Sequence, residues 1–151
     1  MSERLVAAVH SRLEVLAITA HARVLAVLHG VDLRDAMELA LVITELGMNA
    51  IRHGGGAGLV KVSLSSEGWT VEVEDGGRGF SLPVLADAGR SDRLGPEGVR
   101  PPADGGHSFG SGLASVRRLS SRIELSNRPR GGARAVAHKD FSSSSSKGRS
   151  A

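Results

Sequence analysis

The sequence contains no cysteine and no tyrosine, a single tryptophan and three phenylalanines. Without cysteine, disulfides and thiolate metal sites are excluded, which suits a reducing compartment. With so few aromatic rings the chain offers few stacking platforms of the kind that hold single-stranded nucleic acid. Net charge is low as well, at +3, and the arginines are spread from Arg4 to Arg149 without forming a phosphate-tracking stripe. A nucleic-acid partner is therefore not expected. No apolar run approaches the roughly 20 residues that span a bilayer, and the N-terminus lacks a basic-then-apolar leader pattern. The expectation is a cytoplasmic protein with no membrane partner.

What is present is ordinary globular composition: 151 residues, 40% hydrophobic and 23% charged. That is enough apolar material for one core and one domain, expected over residues 1–141. Residues 142–151, with five consecutive serines followed by Lys147 and Arg149, cannot bury apolar surface and read as a disordered tail. The Val/Ala-rich stretch Arg4–His10 reads as an edge strand, and Leu16–Leu28 as a helix closed by Gly30. Helix periodicity is strongest over Leu33–His53, where Ala36, Leu39, Ile43, Leu46 and Ala50 define one apolar face behind an Asp32 N-cap. Two strands, Leu59–Ser65 and Trp69–Glu74, flank a Ser-Glu-Gly turn. The tract Ser81–Phe109 reads as a long irregular loop, and loops of that length are usually functional or disordered. A helix over Ser111–Ser121 and the strands Ile123–Asn127 and Ala133–Lys139 complete the domain. This order predicts an α/β two-layer sandwich, with helices on one face of a mixed, mostly antiparallel sheet.

Three segments carry chemistry. On the long helix, Glu45 and Asn49 are four residues apart, so they share one side and flank the apolar face. An amide oxygen there suits Mg²⁺, and a carboxylate suits deprotonation of a hydroxyl. Directly after a strand comes Asp75-Gly76-Gly77-Arg78-Gly79-Phe80, an acidic side chain followed by glycines that admit a ligand close to the backbone. The carboxylate can accept from a purine amino group, with Phe80 as a pocket wall. Third, the glycine-rich run Gly105–Leu113 leads into a helix whose first N–H groups can cradle phosphate. It has neither the Gly-Lys-Ser/Thr of a P-loop nor the preceding strand of a Rossmann fingerprint. Each segment alone has an ordinary reading too, as a solvated helix flank, a tight turn or a glycine-rich loop.

Taken in order, Glu45/Asn49, Asp75-x-Gly77-x-Gly79-Phe80 and Gly110-x-Gly112-Leu113 resemble the N box and the two glycine boxes of the GHKL superfamily of ATPases and kinases. Within it the chain resembles the small anti-sigma-factor serine/threonine kinases of bacterial partner-switching systems. The resemblance implies the Bergerat-type ATP-binding fold, ATP with Mg²⁺, and Glu45 as base toward a partner's hydroxyl. It assigns Asn49 to the metal and Asp75 to adenine. Gly77, Gly79, Gly110 and Gly112 would shape the nucleotide pocket and its lid, with His53, Phe80, Ser111 and Leu113 beside them. It also implies a STAS-domain antagonist as protein substrate, a sigma factor or phosphatase as a further partner, and admits a homodimer. Where the superfamily often carries a late-strand threonine, this chain reads Gly131-Gly132-Ala133-Arg134, with no hydroxyl.

The remaining polar residues point less sharply. No histidine pair has zinc spacing. Arg90, Arg93 and Arg100 in the long tract read as solvated, and Arg117 and Arg118 either reach phosphate or partner or lie on the surface. Two functions stay open from the residues: phosphoryl transfer to a partner's hydroxyl, and a nucleotide-gated binding switch that transfers nothing.

Overall fold

The computed structural model describes residues 2–88 and 111–141. Its elements are β1 (Glu3–Val9), α1 (Arg12–Leu28), α2 (Leu33–His53), β2 (Gly58–Ser65), β3 (Gly68–Asp75), α3 (Leu82–Ala88), α4 (Ser111–Leu119), β4 (Arg122–Asn127) and β5 (Ala133–Asp140). The five strands form one sheet in the order β1-β2-β3-β5-β4. The expected α/β sandwich is observed, with one refinement: among the described residues all four strand pairings are antiparallel.

Local chemistry sets the helix ends. Ser11 caps α1 by accepting the Glu14 N–H at 3.2 Å, while the Glu14 carboxylate accepts the His10 N–H at 3.3 Å. These two bonds start the helix at Arg12, a full turn before the expected Leu16. Helix α2 runs over the expected span, Leu33–His53, with the Asp32 side chain accepting the Arg34 N–H at 2.9 Å. The tract from Ser81 was expected to be irregular, yet it opens with α3, in which Pro83 occupies the first turn where no N–H is required. The rest of that tract lies outside the described residues, as do Arg90, Arg93, Arg100, Gly110 and the serine-rich tail.

Period-two alternation in the strands separates the two faces of the sheet. Val60, Val62, Leu64, Trp69, Val71 and Val73 are buried under the helices. All five apolar positions expected on the inner face of α2 are buried with them, Leu39 and Ile43 completely. Burying side chains of that size contributes about 1.5–3 kcal/mol each. On the opposite face the charges pair with one another: Arg134 Nε donates to Glu72 Oε1 at 2.8 Å, and Lys61 Nζ lies 3.7 Å from the same oxygen. Helix α1 approaches α2 closely at Gly47, where an added methyl would lie 2.8 Å from Val15 Cγ1. The Thr19 and Thr44 hydroxyls meet nearby at 3.3 Å, each also donating to the carbonyl one turn back on its own helix.

Candidate functional site

Helix α2 is the wall on which the three sequence segments meet. Glu45 and Asn49 lie part-buried on it, flanked by the buried Leu46, Gly47, Met48 and Ala50. Among the described residues neither side chain has a hydrogen-bond partner, which leaves their polar atoms to be matched by a ligand in the proposed site. The first turn of α4 packs against Glu45 so closely that a methyl group on Gly112 would overlap the Glu45 Oε2 atom. The second glycine segment and the candidate base are thereby brought together. Leu113, one residue on, is buried in the core and anchors this end of α4. Of the Ser111 side chain nothing is described, and Gly110 lies outside the described residues.

The first glycine segment folds onto the C-terminal end of α2. Gly54, the C-cap, abuts Asp75, and a side chain at Gly54 would meet both the Asp75 carboxylate and the Ala50 carbonyl, the latter at 2.6 Å. At Gly77 an added Cβ would lie 2.6 Å from the Gly54 Cα and 2.7 Å from the His53 carbonyl oxygen. His53 itself is exposed on the last turn of the helix.

Asp75 is held by backbone. Its Oδ1 accepts the Gly77 N–H at 2.9 Å and the Ala133 N–H at 3.2 Å, and its Oδ2 accepts nothing from another described residue. One carboxylate oxygen is fixed and the other is available as an acceptor, as recognition of an exocyclic amino group requires. Although the late strand lacks a hydroxyl, its main chain still reaches this carboxylate through Ala133. Gly132, at φ 100°, makes the approach feasible, because a side chain there would collide with the Asp75 carbonyl. Phe80 is part-buried against the core, so its ring serves packing as well as any pocket wall. Arg117 is part-buried, and Arg118 is exposed on the outer side of α4.

Two residues that bind the 75–80 loop were not legible in the sequence. Asn127, at the end of β4, accepts the Phe80 N–H at 2.6 Å and donates to the Phe80 carbonyl at 3.0 Å. Arg128 Nη1 donates to the Asp75 carbonyl at 2.9 Å. In sequence they belong to Asn127-Arg128-Pro129-Arg130-Gly131-Gly132, which reads only as turn chemistry.

The donor set fits nucleotide with Mg²⁺. Among the described residues no three His, Asp or Glu side chains cluster as a metal site, so a cation at Asn49 would draw its other ligands from phosphate and water, as Mg²⁺ commonly does. Also among the described residues, no helix is long and apolar enough to cross a membrane.

A five-stranded antiparallel sheet layered with helices, with glycine segments gathered along the C-terminal half of one helix, defines an ATP-binding α/β sandwich. The chain belongs to the histidine kinase-, DNA gyrase B- and HSP90-like ATPase family, whose model matches residues 34–143. No curated protein sequence matches it significantly. Among solved structures it is similar to a chain in the crystal structure of the SiaB-SiaC complex from Pseudomonas aeruginosa. The TM-score is 0.62 over 89% of this chain and 88% of that one, at 15% identity, which is a likeness of fold.

Proposed function

We propose that this protein is an ATP-dependent serine/threonine kinase acting as a partner switch, with a STAS-domain antagonist as its protein substrate. The observation that carries the reading is the arrangement along α2. Glu45 meets Gly112 at one point, and nine residues on, Gly54 meets Asp75. At 1.5 Å per residue that separation is roughly 13 Å, the scale of an extended nucleoside triphosphate. Asp75 would take the adenine at one end and Glu45 would stand beside the terminal phosphate at the other.

In this reading Glu45 accepts the proton of the partner's hydroxyl. The hydroxyl oxygen forms a bond to the terminal phosphorus as the bond from that phosphorus to the ADP oxygen breaks. Mg²⁺, held by Asn49, supplies charge neutralisation on the phosphates when bound, and the protein's own part is positioning. Gly77, Gly79, Gly110 and Gly112 let the backbone approach the nucleotide, with His53, Phe80, Ser111 and Leu113 lining or supporting the site. Residues 1–141 would form this unit, working in the cytoplasm.

A binding switch without phosphoryl transfer is the second reading. It is favoured by the likeness to a chain solved within a two-protein complex. The large apolar residues exposed on α1 and α2, among them Leu13, Leu16, Val24, Met37 and Leu41, would give a partner or a second copy surface to bury.

The test is incubation with labelled Mg-ATP and a STAS-domain protein, alongside Glu45→Ala and Asn49→Ala. Label on the partner with wild type and none with Glu45→Ala supports the kinase. Tight nucleotide binding with no transfer to any partner supports the switch instead.

A further inference from the structure

The loop 75–80 runs from the end of β3, and β4 is separated from β3 by β5. Two consecutive residues where β4 ends nonetheless hold that loop at both ends. Arg128 donates to the carbonyl of its first residue, Asp75, at 2.9 Å. The Asn127 amide takes both backbone groups of its last residue, Phe80, at 2.6 and 3.0 Å, reproducing with one side chain the paired bonds of an antiparallel ladder. Arg128 is fixed in turn through its own N–H, which donates to the Gly132 carbonyl at 2.8 Å. Between the two anchors, Gly79 adopts φ 81° and lies so close to the Asn127 amide that a side chain there would overlap it. From the same side the Ala133 N–H reaches the Asp75 carboxylate at 3.2 Å, so Asn127 and Arg128 complete the hold on the loop's main chain.

We infer that Asn127 and Arg128 are positioning residues for nucleotide recognition: they hold loop 75–80 in its binding conformation before the ligand arrives. The inference rests on the reading of Asp75 as the base-recognition residue. A glycine-rich loop is costly to order, and a loop ordered in advance spares the ligand that cost. Neither side chain needs to touch the nucleotide. The pair acts through the backbone, which aims the Asp75 carboxylate and keeps Gly77 and Gly79 in place.

The experiment is a titration of the full chain with fluorescent ADP and fluorescent GDP, comparing wild type with Asn127→Ala, Asn127→Asp, Arg128→Met and Arg128→Lys. Thermal melts of the ligand-free proteins run in parallel. Asn127→Ala and Arg128→Met are expected to raise the ADP Kd roughly tenfold or more, since each removes hydrogen bonds that individually contribute modestly. Their preference for ADP over GDP should narrow, a change that loss of general stability would not produce. Arg128→Lys, which keeps a cationic donor, and Asn127→Asp, which keeps the acceptor for the Phe80 N–H, should fall between. Unchanged ADP affinity and base preference in folded Asn127→Ala and Arg128→Met overturns the inference. Should Asn127→Ala fail to fold, Arg128→Met against Arg128→Lys decides by the same criterion. Wild type that binds no adenine nucleotide overturns the underlying functional reading, a result distinct from a wild type that binds and variants that bind equally well.

Discussion

At Gly112 the proposed site has no room for even a methyl group. A methyl group there overlaps Glu45 Oε2, the mobile end of a side chain, so the carboxylate will swing aside and the backbone will stay. Gly112→Ala should therefore keep or slightly raise thermal stability, because alanine favours the helix over glycine. It should cut phosphoryl transfer roughly tenfold to hundredfold, part of what a placed general base supplies. Paired measurements of melting temperature and transfer rate check this, and an equal fall in both would show that Gly112 serves only packing. The types of these site residues were legible in the sequence, since a glycine before a helix and a carboxylate on a helix flank each suggest their chemistry. Their contact was not, because Glu45 and Gly112 lie on helices separated by two strands and a long tract. Asn127 was illegible for a related reason. An asparagine before a Pro-Gly-rich turn is ordinary, and only its bonds to Phe80, 47 residues away in sequence, distinguish it.

For the elements, Gly47 is a point of close approach between α1 and α2. Its neighbours in sequence include both Glu45 and Asn49, so the packing of α1 sets the wall on which the site is built. Gly47→Ala should push against Val15 Cγ1, a fully buried atom with no room to yield, and destabilise the fold by about 1–3 kcal/mol despite the better helix propensity of alanine. Combining it with Val15→Ala should recover part of that loss, because the second change opens the space the first one fills. Urea unfolding of the two single variants and the double variant checks this. A strictly additive double mutant would show that the two positions do not share the contact. Helix α2 was readable over its full length, since a regular apolar face and an Asp32 cap agree. The start of α1 was not, although Ser11-Arg-Leu-Glu14 carries a recognisable capping signature, because the apolar periodicity that drew attention begins later. Helix α3 was concealed by its own Pro83, which reads as a loop residue but is tolerated in a first turn.

Across the whole molecule, stability should depend on pH through the charges on the open face of the sheet. Burial disfavours the charged form of Glu72. The hydrogen bond and charge of Arg134, with Lys61, outweigh that and hold its pKa below the ordinary glutamate range. A lowered native pKa contributes stability that is fully present above the unfolded-state value and is lost as pH falls through the native one. Asp35 opposes this: burial, reinforced by Glu38, raises its pKa, so its contribution declines as pH rises from the ordinary aspartate value through the raised one. Arg134→Met should therefore lower stability near neutral pH and flatten its decline in acid, whereas Asp35→Asn should steepen that decline. Urea unfolding across pH 3–8 followed by Trp69, the only tryptophan and a buried one, measures both. An Arg134→Met profile parallel to wild type would refute the assignment to Glu72.

The sequence by itself determined the fold class and the long helix α2, and it marked the three candidate segments, because each is written in residues close together along the chain. Periodicity, caps and glycine spacing act over a few residues, so they survive being read in one dimension. Tertiary structure alone decided that the described strands all pair antiparallel, that Gly112 meets Glu45, and that Ala133 serves Asp75 with its backbone where no side-chain hydroxyl is available. It alone placed Arg128 on the carbonyl of Asp75, 53 residues away. Such contacts depend on strand order and on the removal of a single Cβ, and neither leaves a local trace in the chain.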